Sequence, residues 1–134
     1  MDTYSDRAYK SFLEENLLDL KDKEGFLVML GAADGTVKLA TSADVAIGVL
    51  HERNSLETKE VSVRLLGKGG TVKVKAGGVI AKGARVTWGA GGKVVTQPVA
   101  AGSYRTLGRK LAMGNSADGD VIEILDVIEP IIVP

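Results

Sequence analysis

At 134 residues the chain suits one domain, and with 45% apolar but only 4% aromatic residues its core must be aliphatic. Seventeen basic residues balance seventeen acidic ones, so no strong pull toward nucleic acid or an anionic membrane is expected. Cysteine is absent, which excludes disulfides, thiolate metal sites and cysteine nucleophiles and fits a cytoplasmic origin.

The first residues are polar and lack the apolar stretch of a secretory leader. No run of apolar residues is long enough to span a bilayer. In residues 1–24, Tyr9, Phe12, Leu13, Leu17 and Leu20 fall near helical spacing among Glu14, Glu15, Asp19 and Lys21. Ser5 or Asp6 would cap the start and Gly25 mark the stop. The segment therefore predicts a short amphipathic helix or ordered arm, packed on its own domain or reaching a neighbouring subunit.

From Gly25 onward the pattern is β. Residues 26–30 read as a strand, Asp34-Gly35 as a tight turn, and 37–40 as the hairpin partner. Residues 45–50 form another strand, and 51–60 a polar loop. Residues 60–66 alternate, with Val61, Val63 and Leu65 on one face and Ser62 and Arg64 on the other. A strand at 71–75 follows the glycine-rich turn 67–70, and strands at 85–88 and 93–96 flank the turn 89–92. Residues 97–104 read as a loop, 106–113 as a strand with Gly108 at a bulge or close-packing point, and 120–127 as the last strong strand. Pro130 and Pro134 keep residues 128–134 extended. The fold class is mainly β: a compact small barrel or sandwich-like domain at 25–134, with the helix or arm at 1–24 and an extended tail.

Candidate chemistry is sparse, and no enzyme, cofactor or metal is expected. Gly67-Lys68-Gly69-Gly70 looks like a phosphate cradle, but a Walker loop must open a helix and both flanks here are strands. His51, the only histidine, has no serine or cysteine placed to be its nucleophile and no second histidine for a metal set. Residues 115–120 lack the register and distal glutamate of a calcium loop. Lys73, Lys75, Lys82, Arg85 and Lys93 make the glycine-rich segment locally basic. Lys73 and Lys75 share one face, either protecting a sheet edge or docking on an acidic protein surface. Trp88 suits core or subunit-interface packing.

The order of these segments resembles one family. Its carriers are Ala33-Asp34-Gly35-Thr36-Val37-Lys38-Leu39, Ala46-Ile47-Gly48-Val49, and Val61-Ser62-Val63-Arg64-Leu65-Leu66-Gly67. After them come Val72-Lys73-Val74-Lys75-Ala76-Gly77-Gly78, Ile80-Ala81-Lys82-Gly83-Ala84-Arg85-Val86 and Gly92-Lys93-Val94. Leu107-Gly108-Arg109-Lys110-Leu111-Ala112 and Gly119-Asp120-Val121-Ile122-Glu123-Ile124 close the series. Across residues 26–127 the chain resembles the small phage capsid cement, or decoration, proteins of the domain-of-unknown-function 2190 type.

The resemblance implies a viral structural protein on the outer surface of an icosahedral head, made in the host cytoplasm. It implies trimers at three-fold and local three-fold positions that clamp the major capsid protein. On this reading residues 1–24 and 128–134 are contact arms, removable without unfolding 26–127. Tyr9, Phe12, Leu17, Lys73, Lys75, Trp88, Pro130, Ile131 and Ile132 are the candidate capsid or inter-subunit contacts. Competing readings are a head–tail connector or tail-tube subunit, and a small carrier domain of lipoyl or biotinyl type. No nucleic-acid or membrane partner is expected.

Overall fold

Two-residue alternation places the side chains. In residues 60–65, Val61 and Val63 are wholly buried while Glu60 is exposed, as a strand with one face on a core requires. The computed structural model describes residues 8–53, 59–111 and 114–133. The helix cap expected at Ser5 or Asp6, the middle of the 51–60 loop, Met113 and Pro134 lie outside the described residues.

Among the described residues the chain forms β1 (Tyr9–Glu14), β2 (Leu27–Leu30), β3 (Thr36–Leu39), β4 (Gly48–Arg53), β5 (Glu60–Leu65) and β6 (Thr71–Lys75). It continues with β7 (Arg85–Trp88), β8 (Val94–Thr96), β9 (Gly102–Thr106), β10 (Gly108–Lys110), β11 (Val121–Leu125) and β12 (Glu129–Val133). The expected mainly β class is what the chain adopts.

β1, β3, β2, β4 and β5 close into a barrel in that order, with β1 sealing it antiparallel to β5 and parallel to β3. Leu20, Val28, Val37, Leu50, Val61 and Val63 fill its interior. A second sheet, β6-β11-β10-β7-β8, curls until a parallel bridge from Ala76 to Val94 brings its two edges together. Its inward residues, among them Val74, Val86 and Ile124, pack with Ile80 and Leu107 from the connections and with Leu27, Ala40, Ala46 and Val49. Two neighbouring pairs, Leu27-Val28 and Val49-Leu50, thus bury both faces of β2 and β4, one residue into each core. Such doubly covered strands read as unbroken apolar runs. Gly108 lets β10 lie against β11, since a Cβ there would sit 2.2 Å from the Leu125 carbonyl oxygen.

The N-terminal helix is not formed: residues 9–14 are strand β1. The apolar residues at helical spacing do not share a buried face, for Tyr9, Leu13 and Leu17 are all about half exposed. The inward positions of β1 are Lys10, Phe12 and Glu14, and the most buried of them is the carboxylate. A strand whose inner face ends in a charge hides its alternation from hydropathy. Two loop expectations also give way. His51 to Arg53 continue β4, and residues 102–104 begin β9. The tail is extended, as β12, antiparallel to β9 with Pro130 opposite Arg105. Among the described residues β12 has no other ladder partner, the edge setting in which a strand tolerates proline.

Candidate functional site

Two buried ion pairs organise the turns. Arg64 on β5 donates to Asp126, just past β11, at 2.8 Å, and both side chains are almost fully enclosed. Asp126 also accepts the backbone N–H groups of Gly67 (2.8 Å), Lys68 (3.0 Å) and Gly69 (3.1 Å). Gly67, Gly69 and Gly70 hold φ of +84°, +84° and +71°, which L side chains rarely adopt and glycine adopts freely. Successive amides in such a loop form a concave anion receptor. Here the anion is the protein's own carboxylate. Arg64 completes the knot by donating to the carbonyls of Leu65 and Gly69, tying the barrel to the second sheet.

The second pair is Glu14 with Arg53. The Glu14 carboxylate is fully buried and accepts from the Arg53 guanidinium and from the amides of Leu18 (2.9 Å) and Leu20 (3.1 Å). It thereby pins the turn after β1, in which Leu18 takes φ +71°, a strained value for a residue with a Cβ. Burial alone pushes the Glu14 carboxyl up. The Arg53 hydrogen bond, the two amides and the Arg53 charge outweigh it, so the group sits below its ordinary value near 4.5. The hydrogen bond to Glu14 in turn raises Arg53, against the effect of burial.

A folded-state value below the unfolded one means that the stabilisation is present above about pH 4.5 and is lost as pH falls through the lowered value. Urea midpoints measured from pH 7 to pH 3 should therefore fall more steeply for the parent protein than for Glu14→Gln. Parallel curves would show that this carboxylate is not the group responsible.

Between β4 and β6 lies an open groove of about 480 Å³, lined by Val49, Val72 and Val121 and by the polar side chains of Tyr9, Glu24, His51, Lys73 and Glu123. The Tyr9 and His51 rings meet at 4.7 Å, tilted by 59°. Thr71 donates to Glu123 at 2.9 Å. On the groove side of β6 the Lys75 amide donates to the Gly25 carbonyl and the Thr71 carbonyl accepts from Arg64. By strand alternation the Lys73 N–H and C=O point the same way, between those two contacts. Among the described residues no group of three or more His, Cys, Asp or Glu side chains could hold a metal ion.

The candidate contacts expected from the sequence do not form one patch. Tyr9 and Lys73 both line the groove. Lys75 lies on the same strand and donates to the Gly119 carbonyl at 3.4 Å. Phe12 packs on the barrel core, and Trp88 packs on the second core with its indole N–H donating to the Ala40 carbonyl at 2.8 Å. Leu17 sits half exposed in the turn after β1. Pro130, Ile131 and Ile132 lie on β12, with Ile132 77% exposed. The sequence reading missed Glu14, Arg53, Arg64 and Asp126. One signal was present: Asp126 stands two residues beyond Ile124 and four beyond Ile122, in phase with the buried side of β11.

Compared with models of known protein families and with curated protein sequences, the chain matches none.

Proposed function

We propose that this protein decorates and stabilises the exterior of an icosahedral phage head, binding the major capsid protein and gathering as trimers at three-fold and local three-fold positions. The family resemblance across residues 26–127 suggests the role. The structural observation that carries it is the β9–β12 ribbon. β12 has no ladder partner beyond β9 among the described residues, and Ile132 stands open to solvent. A free strand edge with an exposed apolar side chain suits strand addition to a partner, and many modest contacts repeated by symmetry give tight attachment. The buried ion pairs and doubly buried strands form a stiff base. The role calls for no catalytic group or cofactor.

The test is co-sedimentation with expanded, DNA-free heads and with unexpanded proheads from the same source. Saturable binding to expanded heads alone is expected, at a stoichiometry that matches the shell. Removing residues 129–134 should weaken it by roughly tenfold or more, with an unchanged unfolding midpoint. Binding to neither particle would sink the proposal, and a copy number matching a single vertex would move the protein to the head–tail connector.

A further inference from the structure

Val72, Ile124 and Val86 point into the second core, so their neighbours along β6, β11 and β7 point outward. The registers pair Thr71 with Leu125, Leu125 with Arg109, and Arg109 with Arg85. Directly opposed residues on adjacent strands share a face. The outer row therefore reads Thr71, Leu125, Arg109, Arg85, with two arginines directly opposed. Like charges placed opposite each other are unfavourable. Among the described residues neither arginine side chain has a hydrogen-bond or carboxylate partner, and the Arg85 Nε–H is buried with no acceptor. A buried donor left unpaired carries its full desolvation cost.

The neighbouring positions extend the pattern. Lys73 lies opposite Glu123, and Lys75 opposite Val121. The face thus presents Lys73, Lys75, Arg85 and Arg109 against Glu123, which already accepts from Thr71, with Glu24 lining the groove beside Lys73. Val121 (56% exposed), Leu111 (42%) and Leu125 (37%) stand among these cations. In a chain with no net charge this is a concentrated positive field interleaved with aliphatic surface.

We infer that the outer face of the second sheet docks on an acidic protein surface, with Arg85 and Arg109 gripping one partner carboxylate between them. A carboxylate accepts two parallel N–H groups from a guanidinium. Held by the terminal guanidinium nitrogens, it would offset the unfavourable apposition of the two arginines. The aliphatic side chains suit a protein surface, whereas single-stranded nucleic acid favours aromatic platforms, and this face has none. Identifying that surface with the capsid shell rests on the decoration reading; the face itself does not.

Arg109→Glu tests the inference without threatening the fold, because it sets a carboxylate opposite Arg85 within the same chain. The free variant should melt at a higher temperature than the parent. Poly-L-glutamate at low salt should shift the Arg85 and Arg109 side-chain Nε–H resonances of the parent saturably, and R109E should bind it at least roughly tenfold more weakly. Equal binding by the two proteins, shifts confined to other residues, or tighter binding of polyphosphate than of polyglutamate would each overturn the inference. With expanded heads, binding by the parent and loss in R109E would place the acidic surface on the shell. Equal binding of heads by both would overturn that docking. Polyglutamate binding at Arg85 with no binding of heads by either protein would remove the decoration reading and leave the face standing.

Discussion

Replacing Asp126 with alanine is expected to lower the free energy of unfolding by about 3–5 kcal/mol, the usual effect of breaking a buried ion pair by removing one partner. A domain is typically stable by only about 5–15 kcal/mol, so much of the folded population is at stake. Alanine would strand the Arg64 guanidinium, which is almost fully enclosed, and would orphan the amides of Gly67, Lys68 and Gly69 together. The two losses are separable. Arg64→Met leaves the carboxylate with its three amide donors and should cost less than Asp126→Ala. Pairing Arg64→Met with Asp126→Leu removes both charges, a change that is often neutral for an isolated buried pair. Here it should recover only part of the loss, because the loop amides still lack an acceptor. Urea denaturation of the four proteins measures this directly. A loss below about 1 kcal/mol for Asp126→Ala, no more than a typical exposed pair, would mean that the glycine loop holds its shape without its anion.

That loop also shows where sequence reading reaches its limit. Residues 67–70 resemble an anion cradle, and their flanking strands argue against a phosphate site. Both observations hold, because the loop does bind an anion, supplied by a residue 59 positions away from Gly67. Nothing local in 67–70 names that partner. The strands were legible wherever inward positions are aliphatic, as in residues 60–65, 71–75, 85–88 and 121–125. They were illegible where an inward position is charged and neutralised across the fold. β1 ends inward on Glu14, whose partner Arg53 lies on another strand, and the leftover apolar residues then imitate a helix. β9 was masked differently. Gly102, at the start of the strand, is disfavoured in sheets, and its partner β12 arrives only at the end of the chain. Of the expected contacts, Tyr9 and Lys73 share the groove because Glu24–Gly25 runs between β4 and β6, a long-range placement that spacing does not encode.

Deleting residues 1–24 should unfold the domain rather than merely detach it. Treating that segment as a removable arm requires that it contribute little to the core, and the barrel argues the opposite. β1 pairs with five consecutive residues of β5, from Glu60 to Arg64, and also with β3. Its removal opens the barrel and exposes two strand edges, a setting prone to aggregation. Leu20 leaves the barrel core with it, and Val37, Val61 and Val63 lose their cover on that side. Arg53, with its side chain 3% exposed, loses the Glu14 carboxylate. The expected result is a chain without a sharp urea transition and with poorly dispersed amide resonances. The deletion of residues 129–134 is the matched contrast, since β12 pairs only with β9 among the described residues and leaves both cores whole. Should residues 25–134 instead unfold cooperatively at the parent's midpoint, β1 would be a detachable arm after all, and the barrel would hold with four strands.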